Sequence, residues 1–237
     1  MKFIESLKNI LGGAPKTEVI EGIPEEMRRL LEEAKASGEP FREGPYFDAA
    51  EPDMDLQWEN LIWPILKERN IDYHCVLDFA AGHGRNSVKL RQYADRIIIV
   101  DINQESIDAC KERFKGDDRF VYIKTNGISL TGIRNEDVTF IYSFDSMVHF
   151  DSDVVRKYLK EFCRVLKPGG YGFCHHSNYT DNPTGDFTKS AHWRNFMSKE
   201  LFAHYCAKEG LTIVEQRVID WSVEKLDCLS LFCKSED

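Results

Sequence analysis

The chain has 237 residues, of which 42% are hydrophobic and 12% are aromatic, and its formal net charge at pH 7 is −9. This length and apolar fraction suit one domain with a buried core and an N-terminal addition. The acidic balance argues against nucleic acid as a partner, because phosphate backbones are bound by clustered Lys and Arg. The seven cysteines include no C-x-x-C pair, which indicates free thiols in a reducing, cytoplasmic setting.

The N-terminal addition, residues 1–54, is predicted to begin with an amphipathic helix. Phe3, Ile4, Leu7 and Leu11 share one face of this helix, and such a stripe is expected to pack on protein rather than on a membrane. No run in the chain approaches the ~20 apolar residues that a membrane span needs.

A second helix is predicted over 24–37, where acidic residues fill the first turn and a glycine follows the end. The next segment, 38–55, is rich in Pro, Gly and Asp but also carries Phe41, Tyr46 and Phe47. Aromatic residues in such a loop indicate either a lid over a site or a tether packed on the surface.

Residues 55–237 show a regular alternation of strands and helices after a first amphipathic helix at 56–70. The strands that the apolar runs predict are 75–79, 96–100, 120–125, 138–143 and 171–176. Helices are predicted near 85–94, 104–115 and 152–166, and a later one at 197–210. This pattern predicts an α/β domain, doubly wound and Rossmann-like, with a mostly parallel sheet and helices on both faces. Two final strands, 211–221 and 227–235, are expected to pair as an antiparallel hairpin.

A glycine-rich turn, "VLDFAAGHGRNS", follows the first strand and predicts a ligand site at the carboxyl edge of the sheet. Gly82 and Gly84 fill two places of the dinucleotide fingerprint, but Ser87 stands at the third. Asp78 favours a ligand that carries an ammonium over one that carries a pyrophosphate. Asp101, at the end of the second strand, can accept both hydroxyls of a ribose. These features favour S-adenosylmethionine, although the glycines alone could serve a tight turn and Asp101 could cap the next helix.

The same motifs resemble those of the class I S-adenosylmethionine-dependent methyltransferases. "VLDFAAGHGRNS" is similar to the first motif of that family and "IIIVDIN" to the second, while "TNGISL", "VTFIYSFDSMVHF" and "YLKEFCRVLKPGGYGFC" resemble its later segments. The resemblance covers residues 55–235 and implies a catalytic domain with a seven-stranded sheet whose last strand is antiparallel. The residues that it implies for the methyl donor are Asp78, Ala80, Gly82, Gly84, Asp101, Ile102, Asn126, Gly127 and Phe144. Asn126 departs from the family pattern, in which an acid is common at that position.

Candidates for the chemistry of methyl transfer follow the fourth and fifth strands. We expect His149 to act as a general base, with Asp145 orienting its imidazole and raising its pKa. His175 and His176 should point to opposite faces of their strand, so only one of them can reach the site, and His176 is the reserve base. Packing or capping by His149 is the alternative.

The acceptor is expected to contact Tyr46, His175, Trp193 and Arg194. Arg194 would suit a carboxylate or phosphate of the acceptor, although a surface salt bridge is an equal alternative. Asp145, His149 and His176 lack the spacing of a metal site, so no metal is predicted.

The sequence therefore predicts a cytoplasmic methyltransferase that O-methylates a polar small molecule such as a sugar or a glycan precursor, with no nucleic-acid or membrane partner. Its oligomeric state is not predicted. A catalytically silent S-adenosylmethionine-binding partner or sensor is the first alternative, and an NAD-dependent oxidoreductase is the second. The missing third glycine and Asp78 argue against the oxidoreductase.

Overall fold

The computed structural model describes residues 23–42, 45–183 and 187–236. The predicted amphipathic face of Phe3, Ile4, Leu7 and Leu11 lies outside these residues. Within the described part of the chain, no helix is long and apolar enough to cross a membrane.

Seven strands form one sheet, as predicted. In chain order they are β1 Cys75–Phe79, β2 Arg96–Asp101, β3 Phe120–Lys124, β4 Val138–Ser143, β5 Leu166–Ser177, β6 Leu211–Ile219 and β7 Asp227–Lys234. Their order across the sheet is β3-β2-β1-β4-β5-β7-β6. Neighbouring strands from β3 to β5 pair in parallel, and β7 runs antiparallel to both β5 and β6. The strand order reverses at β1, and in open α/β sheets a crevice for ligands lies at such a reversal.

Helices cover both faces of the sheet. The described α-helices are α1 Glu25–Gly38, α2 Tyr46–Ala50, α3 Met54–Gln57, α4 Trp63–Leu66, α5 Ser87–Leu90, α6 Gln104–Arg113, α7 Ser152–Val165 and α8 Lys199–Lys208. α1, α7 and α8 pack on one face, where the buried cluster includes Ala34, Phe162 and Phe202. α3 to α6 pack on the other face around Ile62 and Ile107. The apolar strand interiors are thus shielded from water on both sides, which is the main source of stability in such a fold.

Three predicted elements differ most from their observed form. The helix expected over 56–70 is interrupted by a π-helical turn at Trp58–Ile62, because Pro64 has no N–H to donate into a regular helix. The helix expected at 85–94 ends at Leu90, since the following turns close through tighter bonds such as Tyr93 N–H to the Leu90 carbonyl. β5 begins five residues earlier than 171, because Leu166 already pairs with Val138 before a register shift.

Candidate functional site

The turn after β1 is a tight backbone loop that faces the end of β2. Ala80, Gly82 and Gly84 all have positive φ angles of 54°, 55° and 74°, a region that glycine adopts without strain. The Gly82 N–H donates to Asp101 Oδ2 at 2.9 Å, and the Asn103 N–H donates to Asp101 Oδ1 at 2.8 Å. Burial raises the pKa of Asp101 to about 6 although these backbone hydrogen bonds oppose the shift. Asp101 is therefore a fixed, buried hydrogen-bond acceptor with lone pairs to spare.

A cleft lies above the carboxyl ends of β1, β2 and β4, with an empty volume of about 650 Å³ that includes space open to solvent. We call this the main cleft. Its floor comes from the strand ends and the elements after them: Phe79, Ala80, Gly82, Asp101, Ile102, Asn103, Ser106, Thr125, Gly127, Asp145, Ser146, His149, Phe150 and Tyr158. Its roof comes from residues before β1: Ala34, Ser37, Gly38, Phe41, Tyr46 and Phe47. The aromatic segment thus lies over the cleft, and its role as a lid stays a prediction.

Roof and floor approach too closely for larger residues at Gly38, Gly82 and Gly127. A Cβ on Gly82 would lie 2.4 Å from Phe47 Cε1, and a Cβ on Gly127 would lie 2.7 Å from Ala34 Cβ. The Phe47 ring also stacks on His83 with 3.7 Å between the ring centroids. The glycine turn therefore serves the contact with the roof as well as its own bend.

A smaller cavity, which we call the side chamber, adjoins the main cleft and has an empty volume of about 340 Å³. Its walls are mostly polar or aromatic: Tyr46, Phe47, Glu51, Ala80, Ala81, Gly82, His83, Arg85, Asn86, Phe144, Asp145 and Ser146. Six residues line both cavities: Tyr46, Phe47, Ala80, Gly82, Asp145 and Ser146. Asp145 is the one charged residue among these six, so a single carboxylate marks the junction of the two spaces.

Asp145 is held by two partners on the same oxygen. Tyr46 Oη donates to Asp145 Oδ2 at 2.5 Å, and Arg85 Nη2 donates to the same atom at 2.9 Å. Arg85 also donates from Nη1 to the Ala50 carbonyl at 2.8 Å. Both Arg85 and Asp145 side chains are about nine-tenths buried, so this ion pair is strengthened by its low-dielectric surroundings. The predicted pairing of Asp145 with the His149 imidazole does not form, because the carboxylate is directed to Tyr46 and Arg85.

His149 lines the main cleft as predicted, but its pKa shifts in the opposite direction to the one expected. Its Nδ1 lies 2.8 Å from the Trp193 carbonyl oxygen, which requires a proton on Nδ1 and leaves the Nε2 lone pair free. Burial, reinforced by the nearby Arg194 cation, lowers the pKa of His149 to about 4. The prediction of a raised pKa was wrong because desolvation outweighs the attraction of Asp145.

His175 and His176 point to opposite faces of β5, as predicted. His175 accepts from the Asp145 N–H at Nδ1 and bonds Asp227 through Nε2, at 3.2 and 3.0 Å. His176 stacks on Phe202 with 3.9 Å between ring centroids, and burial lowers its pKa to about 3. Neither histidine lines the main cleft or the side chamber, so His176 as a reserve base finds no support in this geometry.

Arg194 forms a buried ion pair rather than a surface salt bridge. Its guanidinium binds both carboxylate oxygens of Asp227, at 2.9 and 2.6 Å. The side chains of Arg194 and Asp227 are 3% and 0% exposed. Neither Arg194 nor Trp193 lines either cavity, so their predicted contact with an acceptor is not supported by this arrangement. Arg194 instead ties the loop after β5 to β7.

The predicted donor residues divide into three groups. Ala80, Gly82, Asp101, Ile102 and Gly127 line the main cleft, while Phe144 lines the side chamber. Asp78 lies beneath the glycine turn and accepts from Ser87 Oγ at 2.5 Å, and burial raises its pKa to about 7. Gly84 faces the Cys110 thiol of α6 and the Phe114 ring directly after that helix. The exposed Asn126 caps its own turn by accepting from the Ile128 and Ser129 N–H groups. Asp78, Gly84 and Asn126 therefore support the floor of the cleft from outside its surface.

Sequence reasoning missed two functional candidates and one structural one. Arg85 stands directly after the glycine turn, and a cation in that position was a signal for a carboxylate partner near the site. Ser106 lines the main cleft, yet its Oγ is buried and has no hydrogen-bond partner in the described part of the chain. Asp227 opens the apolar run of β7, and a carboxylate at such a place indicates a buried partner. Among the described residues, no three His, Cys, Asp or Glu side chains are grouped as metal ligands.

Comparison with known proteins identifies the relatives of this region. Residues 76–170 match the protein-family model of a methyltransferase domain. The demethylmenaquinone methyltransferase of Clavibacter sepedonicus is 31% identical over 97 residues, which are 40% of this chain and 38% of that protein. The match therefore spans well under half the length of that relative.

Solved structures extend the likeness to most of the chain at the level of fold. An S-adenosylmethionine-dependent methyltransferase from Clostridium acetobutylicum has a TM-score of 0.61 at 18% identity, covering 81% of this chain and all of that one. One from Methanosarcina mazei has a TM-score of 0.58 at 15% identity, covering 73% and 98%. The chain thus has the Rossmann-like methyltransferase fold, and the family match together with these neighbours supports S-adenosylmethionine as its cofactor.

The main cleft fits this cofactor. Asp101 can accept hydrogen bonds from ribose hydroxyls, and the unpartnered Ser106 Oγ lies on the same wall. Ile102 and Phe150 offer apolar surface to a purine ring.

Proposed function

We propose that the chain is an S-adenosylmethionine-dependent methyltransferase that O-methylates a polar small molecule, such as a sugar or a glycan precursor. The observation that carries this proposal is the meeting of two cavities at Asp145. The main cleft suits the cofactor, and the adjoining side chamber has the polar walls that a hydroxyl-rich acceptor requires. Residues 55–237 form the catalytic domain in this proposal, and the described residues before them, 23–42 and 45–54, close over it.

When bound, S-adenosylmethionine supplies an activated methyl group on a sulfonium. The chain's own residues then position the partners, and alignment of this kind removes ~7–11 kcal/mol of a barrier. Asp101 binds the ribose, and the aromatic roof of Phe41, Tyr46 and Phe47 excludes water. His149 Nε2, which is unprotonated at neutral pH, accepts the proton of the acceptor hydroxyl.

The polar character of the side chamber supports the acceptor class. Glu51, His83, Arg85 and Asn86 offer both hydrogen-bond donors and acceptors, and the rings of Tyr46 and Phe47 can cover an apolar sugar face. The net charge of −9 argues against nucleic acid as the acceptor. We place the reaction in the cytoplasm because all seven cysteines are present as free thiols.

Calorimetry and a transfer assay test the proposal. S-adenosylmethionine and S-adenosylhomocysteine should bind and NAD should not, and tight NAD binding would contradict the proposal. Labelled methyl groups should pass to one member of a panel of sugars, glycan precursors and phenols. Demethylmenaquinone, named in the Clavibacter relative, belongs in the same panel. Binding without turnover on any compound would favour a silent sensor.

Asp101→Ala should weaken binding of S-adenosylhomocysteine by about 2–3 kcal/mol, the usual value of hydrogen bonds to a charged group. The variant also leaves the Gly82 and Asn103 N–H groups without their acceptor, which adds to the loss. Asp108→Ala, which removes an exposed carboxylate from α6, is the control in the same titration. Equal affinities for the two variants would reduce Asp101 to a helix cap.

A further inference from the structure

One oxygen of Asp145 is left open at the junction between the main cleft and the side chamber. Both hydrogen bonds that the carboxylate accepts, from Tyr46 and Arg85, go to Oδ2. Oδ1 accepts no hydrogen bond from the described residues. Among these residues, the side-chain atoms that are both fully buried and without a partner are Ser106 Oγ and Ser143 Oγ, so Oδ1 is not fully buried. Oδ1 therefore faces free space inside the site.

The backbone holds this oxygen at a conformational cost. Asp145 has a φ of 60°, a left-handed conformation that costs a residue with a side chain about 1 kcal/mol or more. Its own N–H donates to His175 Nδ1, and Asp227 holds the opposite nitrogen of that ring. The carboxylate is thus fixed from the backbone side by His175 and from the side-chain side by Arg85 and Tyr46. Strain of this kind persists where the surroundings over-determine a position, which is common at functional sites.

A desolvated carboxylate with one free oxygen favours a hydrogen-bond donor. The neighbouring Arg85 cation is already paired with Asp145. Of the other residues that line both cavities, Phe47, Ala80 and Gly82 offer only apolar surface or backbone, and Ser146 offers its hydroxyl. Ser146 Oγ in turn donates to the Ala80 carbonyl at 2.8 Å. Asp145 Oδ1 is therefore the strongest free hydrogen-bond acceptor at this place.

We propose that Asp145 Oδ1 binds the methyl acceptor, which must then carry a hydroxyl or amine group at or beside the atom that is methylated. This inference rests on the proposed function, because the donor methyl and the acceptor meet at the junction only if the main cleft holds the cofactor. It selects polyols and amino alcohols, and it excludes acceptors whose reacting edge has only carbon or ether groups. Tyr46 and Arg85 act as positioning residues for the carboxylate.

Sinefungin tests this assignment without knowledge of the acceptor. In this cofactor analogue a carbon bearing an ammonium replaces the methylated sulfur, so an N–H donor stands where the methyl group would be. The wild-type protein should bind sinefungin about tenfold or more tightly than S-adenosylhomocysteine, the usual gain from a hydrogen bond to a charged group. Asp145→Asn should abolish this preference. The amide oxygen would stay with the donors Tyr46 and Arg85, so the NH2 group would take the place of Oδ1 and face the ammonium. The affinity for S-adenosylhomocysteine should change little.

Asp48→Asn is the matched control, since it removes an exposed carboxylate from α2 and should leave the preference unchanged. If Asp145→Asn binds neither ligand, Asp145→Glu is the second variant to measure. It should still bind S-adenosylhomocysteine, but its preference for sinefungin should be smaller than that of the wild-type protein. A wild-type protein without preference for sinefungin, or an Asp145 variant that keeps the preference, overturns the assignment. Failure of the wild-type protein to bind either ligand contradicts the proposed function instead.

Discussion

Buried aspartates of this protein differ in pKa because their partners differ. Asp78 is fully buried with one hydroxyl partner, Ser87 Oγ, and burial raises its pKa to about 7. Asp227 is equally buried, but hydrogen bonds from His175 and the two-point contact of Arg194 outweigh burial and hold its pKa well below its usual range. A hydroxyl cannot replace the hydration of a carboxylate, whereas a cation with two N–H donors can.

Asp78 makes the ligand-free protein less stable as the pH rises. A folded-state pKa of about 7 lies above the ordinary value of 3.8, so the folded state holds this proton more tightly than the unfolded state. The stability that it provides is complete below about pH 4 and is lost as the pH rises to about 7. Asp78→Asn has no such proton, so the difference in unfolding free energy, wild type minus variant, should fall between about pH 4 and pH 7.

Urea denaturation at several pH values measures this difference. For Asp118→Asn, at an exposed position, the plot of unfolding free energy against pH should run parallel to that of the wild type. Parallel curves for Asp78→Asn as well would show that Asp78 is ionised in the folded protein throughout this range.

His149→Ala should lower turnover by about 10²-fold or more while the donor affinity stays nearly constant. The pKa of about 4 keeps the imidazole neutral, so this group should cause no fall in the wild-type rate until the pH approaches that value. Activity of the variant should recover in part at high pH, where an acceptor hydroxyl ionises without a base. His204→Ala, on the exposed side of α8, is the control, and equal turnover of both variants would leave His149 with a packing role.

The sequence predicts which residues lie at the site better than it predicts their hydrogen-bond and ion-pair partners. Gly82, Asp101 and Gly127 all line the main cleft, because each lies at or after the end of a strand at the same edge of a parallel sheet. The pKa of His149 was not predictable, since it depends on burial by the roof and on Arg194. The bonds of Tyr46 to Asp145 and of Arg194 to Asp227 join residues 99 and 33 positions apart, and a single sequence carries no local signal for such pairs.

At the scale of elements, α1 and α2 complete a cavity that the sheet alone would leave open. Asn103 Nδ2 donates to the Gly38 carbonyl at 2.9 Å, and Arg85 donates to the Ala50 carbonyl, so both helices are tied to the floor through their C-terminal carbonyl groups. Such side-chain donors satisfy groups that a helix end leaves unpaired. The roof is therefore a specific part of the site and not a loose covering.

Phe47→Ala should release S-adenosylhomocysteine faster than the wild-type protein does. The Phe47 ring stacks on His83 and touches the backbone of Gly82, and stacked aromatic pairs contribute about 0.5–1.5 kcal/mol beyond their buried area. Stopped-flow displacement should show an increase of roughly two- to tenfold in the dissociation rate. Leu56→Ala, where the side chain is 64% exposed, should dissociate at the wild-type rate, and an equal rate for Phe47→Ala would contradict a closing role.

The strands were predictable from sequence within a residue or two wherever an apolar run met polar flanks, as in β1, β4 and β7. β5 was predicted too short because Pro168, Gly169 and Gly170 are typical of a turn, yet here they continue the strand across a register shift. The π-helical turn at Trp58–Ile62 was not predicted, although Pro64, which interrupts the regular helical hydrogen bonds there, is visible in the sequence. The register shift in β5 arises from the fit between neighbouring strands, which no local pattern contains.

At the scale of the whole molecule, a buried cluster of charge joins the last strand to the middle of the chain. Asp227 at the start of β7 receives Arg194 from the loop after β5 and His175 from within β5. The chain therefore pairs its final strand with β5, whose His175 accepts a hydrogen bond from the Asp145 N–H, so the position of Asp145 depends on the completed sheet.

Asp227→Asn should lower the unfolding free energy by about 3–5 kcal/mol, because it leaves the Arg194 charge buried without its partner. The lowered pKa of Asp227 means that its stabilising effect is present above its ordinary value of 3.8 and is lost as the pH falls below it. Denaturation at pH 7 should therefore separate the two proteins more than denaturation at pH 3. The exposed Asp53→Asn variant should match the wild type, and a similar result for Asp227→Asn would show that the cluster is not stabilising.

The division of the cleft into floor and roof bears on how such a protein can change over evolutionary time. The floor lies within or close to the matched methyltransferase segment, residues 76–170, and its shape is constrained by one unvarying cofactor. Tyr46 and Phe47 belong to a separate stretch of chain, yet they border the side chamber as well as the main cleft. Substitutions in that stretch would therefore change the shape of both cavities, and at Phe47 they would also change the contact with the turn after β1. Replacing Tyr46 and Phe47 would therefore reshape the main cleft and the side chamber together, whereas Asp101 would keep its hydrogen bonds from the Gly82 and Asn103 N–H groups.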